Sequence, residues 1–171
     1  MAVETDGFLV CASSHGDREA YASLVERYGR SVFAVCLGIL GNVSDAEDAA
    51  QDTFVKGFIK LTALKDGERF KAWIMQIARN LCRDHKRKAM VRNQYSAGQG
   101  VEEGTPQRDF DDLRHALEKL PQKHRLPLML FYFNGHSAKS VAEVLEISEA
   151  GACTRLARAR RELRNLLETE K

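Results

Sequence analysis

Residues 137–167 have the sequence SAKSVAEVLEISEAGACTRLARARRELRNLL. Ser137 can cap a short helix with apolar residues at helical spacing, and Ser148 can cap a second, longer helix. Ile147 is placed to fill the turn between them. A short helix, an apolar turn and a longer serine-capped helix are typical of a helix-turn-helix, whose second helix enters the major groove of DNA.

The second helix of this motif has an apolar side and a basic side. Its inward positions are expected to be Leu156, Ala159, Leu163, Leu166 and Leu167, and the outward side carries Arg155, Arg158, Arg160, Arg161 and Arg164. The run of arginines alone is more typical of a solvated helix in an ordinary bundle. The pairing of the two helices around an apolar turn favours DNA binding.

The rest of the chain also predicts helices, so the expected fold class is all-α. The chain has 171 residues with 26 Lys and Arg against 24 Asp and Glu, and a net charge of +2 conceals a strong segregation of charge. Residues 93–108 are polar, acidic and glycine-rich with almost nothing to bury, which predicts a flexible linker. Two small helical domains, residues 8–92 and 109–171, are therefore expected on either side of it.

Three helices are predicted before the linker. The first covers residues 17–40 and ends at Gly41-Asn42. The second covers residues 44–61, where Ser44 and Glu47 have the spacing of a capping box. The third starts at Phe70, with one continuous apolar face and a largely basic opposite face.

Two more helices are predicted between the linker and the helix-turn-helix. A short amphipathic helix begins near Phe110 and stops at Pro121. The next one contains residues 126–131 and closes at Asn134-Gly135. We place Pro127 near its first turn, where the missing N–H costs little.

Several classes of protein are disfavoured by what the sequence lacks. The N-terminus does not resemble a signal peptide, and no apolar run could insert into a membrane. The four cysteines are far apart; Cys36 and Cys82 are expected to be buried free thiols, which favours the reducing cytoplasm. Cys82 and His85 could share a metal, but such lone pairs are usually structural. We therefore expect no metal, no cofactor, no catalytic residues and no enzymatic activity.

Four motifs occur in a recognisable order: DAEDAAQDTFVKGF at 45–58, FKAWIMQIARNLCRDHKRK at 70–88, LEKLPQKHR at 117–125, and GHSAKSVAEVLEIS at 135–148. Together they resemble bacterial RNA polymerase sigma factors of the extracytoplasmic-function type. The resemblance implies a sigma region 2 domain, the linker and a sigma region 4 domain. It also implies a transcription initiation factor that binds core RNA polymerase, through its clamp coiled coil and its flap, and directs it to promoter DNA.

The same resemblance implies roles for individual residues. Contacts to core polymerase fall on Asp45, Asp48, Gln51, Asp52 and Phe54. Contacts to the −10 element, made by helix 70–88, fall on Lys71, Arg79, Asn80, Arg83 and Arg87. Contacts to the −35 element, made by helix 148–167, fall on Ser148, Thr154, Arg155 and Arg158. Simple compensation of the helix dipole would explain Asp45 and Asp48 but not Asp52.

Two further points concern DNA recognition. Trp73 could stack on an unpaired base, but it lies on the apolar stripe and is expected in the core; residues 62–69, the family's specificity loop, are a better candidate for holding a flipped base. Cys153 and Gly151 depart from the family pattern, so the −35 preference stays open.

The resemblance also implies an anti-sigma factor as a partner. The alternatives are a conventional dimeric helix-turn-helix regulator and a decoy that binds only proteins.

Overall fold

A computed structural model of the chain describes residues 4–95, 108–133, 135 and 137–169. The ordered elements in these residues are all helical, which confirms the all-α prediction. The α-helices are α1 (Asp6–Ser14), α2 (Arg18–Leu40), α3 (Val43–Ile59), α4 (Phe70–Tyr95), α5 (Arg108–Lys119), α6 (Gln122–Phe133), α7 (Ala138–Leu145) and α8 (Glu149–Thr169). Two 3-10 helices, Leu61–Ala63 and Gly67–Arg69, connect α3 to α4. Among the residues described, every helix is too short or too polar to span a lipid bilayer.

Helices α2, α3 and α4 pack into the N-terminal bundle, and the predicted apolar face of α4 is its centre. Phe70, Ile74, Ala78 and Cys82 have 0% exposure, as their i, i+4 spacing requires. Helix α3 approaches this face closely through Gly57, where a Cβ atom would lie 2.7 Å from Ile74 Cδ1.

The start of α3 differs from the prediction. Asn42 is the N-cap, and its Oδ1 accepts a hydrogen bond from the Asp45 N–H at 2.8 Å. The capping box of Ser44 and Glu47 is therefore wrong, because an earlier side chain captures the free backbone donor and Ser44 lies inside the first turn. The end of α2 is as predicted, with Gly41 at φ 95°.

The bounds of α6 correct a second prediction. The helix begins at Gln122, directly after Pro121, so that Pro127 lies in its interior rather than in its first turn. The carbonyl of Lys123 thereby loses its intrahelical donor, which solvent can replace because Lys123 is exposed. The predicted helix end is supported by Gly135 at φ 79°, whereas Asn134 lies outside the described residues.

The linker predicted at residues 93–108 differs from the structure at both ends. Helix α4 continues to Tyr95 and α5 begins at Arg108, so both edges of the segment predicted at 93–108 are helical. Residues 96–107 lie outside the described residues.

The two halves of the chain pack against each other along α2 and α6. At their crossing a Cβ atom on Gly38 would lie 2.6 Å from Leu126 Cδ1, and the rings of Phe33 and Phe133 are 5.4 Å apart. Arg125, only 6% exposed, binds both halves. Its guanidinium donates to the carbonyls of Gly38, Ile39, Leu117, Glu118 and Leu120 at 2.9–3.3 Å.

Candidate functional site

The exposed face of α3 carries most of the residues expected to contact polymerase. Asp48, Gln51 and Asp52 are exposed and follow the i, i+3, i+4 spacing of one helix face. Asp45 is half-buried, and its Oδ2 accepts from Asn42 Nδ2 at 2.7 Å, so this carboxylate takes part in the N-cap. Phe54 is also half-buried and packs against the core.

An apolar patch next to these residues escaped the sequence analysis. Val55 is 59% exposed and Ile59 is 72% exposed, and both continue the line of Gln51 along the helix at intervals of four residues. They border an open groove of about 400 Å³ that also includes Phe54 and Phe58. The sequence does contain a signal for this patch, because Val55 and Ile59 are apolar and yet fall on the acidic face of the helix rather than on its buried stripe. We call Asp48, Gln51, Asp52, Val55 and Ile59 the docking face.

The basic side of α4 is divided into a free part and an occupied part. Asn80, Arg83 and Arg87 are exposed. Asn80 Oδ1 accepts from Arg83 Nη1 at 3.3 Å, and Arg87 pairs with Asp84 at 3.2 Å. These are weak surface contacts that a nucleic acid can displace.

The occupied part of α4 faces the first helix of the helix-turn-helix. Lys71 Nζ donates to Glu143 Oε2 at 2.8 Å, and this hydrogen bond holds the pKa of the Glu143 carboxyl below its usual value. Arg79 donates to the Val144 carbonyl at 2.7 Å and to Glu146 Oε1 at 3.1 Å. Of the five side chains of α4 predicted to contact the −10 element, two are thus bound by α7 and the turn that follows it.

The loop before α4 forms a hollow beside the basic face. This hollow is about 370 Å³ and is lined by Leu64, Lys65, Asp66, Arg69, Ala72, Trp73 and Gln76. Trp73 packs against Phe70 with ring centroids 5.9 Å apart, as expected for a core residue. Its side chain is only half-buried, and its exposed part borders the hollow. An aromatic ring beside carboxylate, amide and guanidinium groups can stack on a base and form hydrogen bonds to its edge.

The helix-turn-helix has the predicted construction. Ser137 caps α7 by accepting from the Ser140 N–H at 3.4 Å, and Ser148 accepts from the Gly151 N–H at 3.1 Å at the start of α8. Glu146, at φ 56°, makes the turn. The four residues expected to contact DNA are all exposed on α8 or immediately before it: Ser148, Thr154, Arg155 and Arg158.

The cysteines are arranged as ordinary core and surface residues. Cys36 and Cys82 are buried, and their mutual hydrogen bond, together with burial, raises the pKa of the Cys36 thiol. Cys11 and Cys153 are exposed. Because Cys82 is buried while His85 is exposed, these two residues do not face a common metal position.

Comparison with known proteins assigns this architecture to a family. The family model described as Sigma-70 region 2 matches residues 24–91, and that described as Sigma-70, region 4 matches residues 110–163. The sigma factor EcfG of Rhodopseudomonas palustris is 30% identical over 143 residues, which cover 80% of this chain and 79% of that protein. The chain belongs to the extracytoplasmic-function sigma factors.

Other relatives agree with this assignment. SigW of Bacillus subtilis is 29% identical to this sigma factor over 170 residues, covering 89% of this chain and 91% of the relative. The structure of RpoE from Bartonella quintana, solved with the anti-sigma factor NepR, has a TM-score of 0.64 and 25% identity, covering 88% of this chain and 98% of that one. CnrH, solved with the cytosolic domain of CnrY, also scores 0.64, with 26% identity and coverage of 98% and 100%.

Membership of the family decides against one of the functional alternatives, the conventional regulator. The sigma factor is a transcription initiation factor that acts with RNA polymerase at promoter DNA, and its family is not a family of enzymes. A conventional dimeric helix-turn-helix regulator is not favoured, because both the region 2 and the region 4 domains match.

Proposed function

We propose that this sigma factor binds core polymerase through the docking face. It reads the −10 element with α4 and the −35 element with α8. The observation that supports this division best is the placement of three separate exposed surfaces on one chain. One is acidic and apolar, and two are basic. An acidic surface suits a basic protein partner, whereas basic helices suit the phosphates and base edges of DNA.

The proposed domain boundaries follow the same division. Residues 8–92 are assigned to polymerase docking and to recognition and melting of the −10 element. Residues 109–171 are assigned to the −35 element, and residues 93–108, whose two ends belong to α4 and α5, to the linker. The clamp coiled coil is the proposed partner of α3, and the flap is the proposed partner of the second domain.

For the −10 element, the exposed Asn80, Arg83 and Arg87 are proposed to contact the backbone and bases. The hollow beside α4 is proposed to receive one extruded base, because it offers an aromatic edge and polar groups close to these cations. Binding an extruded base offsets an unstacking cost of a few kcal/mol, so that melting needs no hydrolysis of ATP. No catalytic residue is required for this role.

For the −35 element, Ser148, Thr154, Arg155 and Arg158 are proposed to contact the major groove. Thr154 Oγ1 donates to the Ala150 carbonyl at 3.0 Å, which leaves its methyl group available for a thymine methyl. Arg155 and Arg158 can contact guanine or phosphate.

An anti-sigma protein is proposed as a partner, and the cytoplasm as the place of action. Support comes from RpoE and CnrH, whose structures contain NepR and part of CnrY respectively. Such a partner would compete for the exposed surfaces described above.

Run-off transcription with the full chain tests the proposed function. Core polymerase alone should give no specific transcript from a promoter identified by mapping transcript starts after overexpression. Adding the chain should give one defined start with sensitivity to both elements. Tight binding to duplex DNA combined with no binding to core polymerase would refute the proposal.

The contacts between α4 and α7 lead to a separate prediction about DNA binding. Lys71 and Arg79 can reach the promoter only after leaving Glu143, Val144 and Glu146. Replacing both glutamates by glutamine should therefore raise the affinity of the free chain for single-stranded −10 DNA about three- to tenfold, since an ion pair whose carboxylate is exposed to solvent is worth up to about 1 kcal/mol. Fluorescence anisotropy at low salt measures this affinity.

The control for this measurement removes two charges elsewhere. Glu26→Gln with Glu168→Gln changes the net charge equally at exposed positions on α2 and α8. Equal affinities of the two double variants would show that net charge, rather than release of Lys71 and Arg79, causes the change.

A further inference from the structure

One wall of the hollow is formed by a short 3-10 helix, which is too small to hold its own position relative to the bundle. The 3-10 helix Gly67–Arg69 leads directly into α4, and its last residue lines the hollow. The Asp66 carboxylate accepts from the Glu68 N–H at 3.1 Å, which fixes the shape of the turn. This local bond cannot fix the position of the turn relative to the bundle.

Helix α1 is a firm base next to this turn. Asp6 is 9% exposed, and its carboxylate accepts from Arg27 Nη1 at 2.5 Å and from the Tyr28 hydroxyl. Leu9 and Val10 are buried in the core of the N-terminal bundle. Polar bonds at one end and apolar packing along one side therefore hold α1 onto α2.

The turn rests on α1 at a contact between two glycines. A Cβ atom on Gly67 would lie 2.8 Å from Gly7 Cα and 3.2 Å from Val10 Cβ, so the two backbones touch. The Gly7 N–H donates to Glu68 Oε1 at 3.1 Å, and a Cβ on Gly7 would lie 2.5 Å from that oxygen. Glycine at both positions allows this close approach.

We propose that α1 supports base recognition at the −10 element, with Gly7, Gly67 and Glu68 as positioning residues for the wall of the hollow. A site discriminates between ligands only while its groups stay within about 0.5 Å of the productive geometry. Helix α1 lies before residues 24–91, the part matched to sigma region 2. The inference rests on the proposed function, because positioning matters only if the hollow receives a base.

The test uses holoenzyme assembled from the full chain and core polymerase. Initiation is measured on promoters that differ by single bases in the −10 element. One mismatch commonly weakens recognition by about five- to 150-fold. Gly7→Ala and Glu68→Ala should each reduce the preference for the best base by about three- to tenfold. Because both changes break the same contact, the double variant should lose no more than either one alone.

Two variants separate positioning from other effects. Glu68→Gln retains an Oε1 acceptor and should keep the base preference. If the negative charge of Glu68 acted on the DNA directly, this variant would lose the preference. Gly29→Ala is the matched control, because a Cβ on Gly29 meets nothing within 4 Å. Holoenzyme assembly and −35 preference should stay unchanged in all four single variants, and no thermal midpoint should fall, although Gly29→Ala should raise it slightly through the higher helix propensity of alanine.

The outcomes distinguish this proposal from the proposed function. If Gln76→Ala in the hollow alters the base preference while Gly7→Ala and Glu68→Ala do not, the support by α1 is refuted and the hollow stands. If Gln76→Ala leaves the preference unchanged as well, the hollow is not the base site, and the present proposal is overturned with it.

Discussion

Arg125→Met is expected to lower the free energy of unfolding by about 3 kcal/mol or more. The guanidinium is 6% exposed and donates to five carbonyls, two at the end of α2 and three at the end of α5. Methionine fills much of the space of the stem but leaves these buried acceptors unpaired. Urea unfolding followed by circular dichroism measures the loss.

Two controls define the cause of this loss. Arg125→Lys keeps the charge but has a single donor group that cannot span both helix ends, so an intermediate loss is expected. Arg161→Met removes an exposed arginine of α8 and should change stability by no more than about 0.5 kcal/mol. Wild-type stability of Arg125→Met would show that the hydrogen bonds from Arg125 to the ends of α2 and α5 do not stabilise the fold.

Local sequence patterns predicted the parts of the fold that depend on neighbouring residues. The apolar face from Phe70 to Cys82, the end of α2 at Gly41 and the serine caps of the helix-turn-helix are all confirmed. Each depends on residues within a few positions of one another. The failed capping box at Ser44 is also local, because Asn42 lies two residues nearer the end of α2 and caps the helix there, which leaves Ser44 inside the first turn.

Long-range features could not be predicted in this way. Arg125 lies in the quoted motif 117–125, but two of its partners, Gly38 and Ile39, are 87 and 86 residues away. The same holds for Lys71 and Arg79, whose partners in α7 depend on how the two domains pack. The sequence pattern predicts Lys71 and Arg79 on the basic side of α4, but it does not reveal that α7 and the turn after it occupy them.

Helix α1 was not predicted from the sequence, for a different reason. It has nine residues, and its contribution depends on the buried Asp6 and on a glycine contact with Gly67. A short helix of this kind carries too few apolar repeats to be recognised from periodicity. Its contacts with α2 and with the loop before α4 become visible only in the folded chain.

Asp48→Ala combined with Gln51→Ala should weaken binding to core polymerase at least about a hundredfold and abolish run-off transcription. Both side chains are exposed on the docking face, beside the apolar groove formed by Val55, Phe58 and Ile59. The few hot-spot side chains near the centre of an interface cost about 2 kcal/mol or more each when truncated, and the proposal makes Asp48 and Gln51 such residues. Because both residues point away from the buried side of α3, the thermal midpoint should stay unchanged.

The apolar part of the docking face provides an independent test of the same interface. Val55→Ser with Ile59→Ser should also weaken the complex, and this loss should persist at high salt. The loss caused by Asp48→Ala with Gln51→Ala should shrink as salt rises, since salt screens the attraction between exposed charges. The screening length is already only about 8–10 Å near physiological ionic strength. Glu26→Ala with Glu168→Ala, at exposed sites on α2 and α8, should bind polymerase normally. Wild-type transcription by the Asp48 and Gln51 double variant would refute the docking assignment.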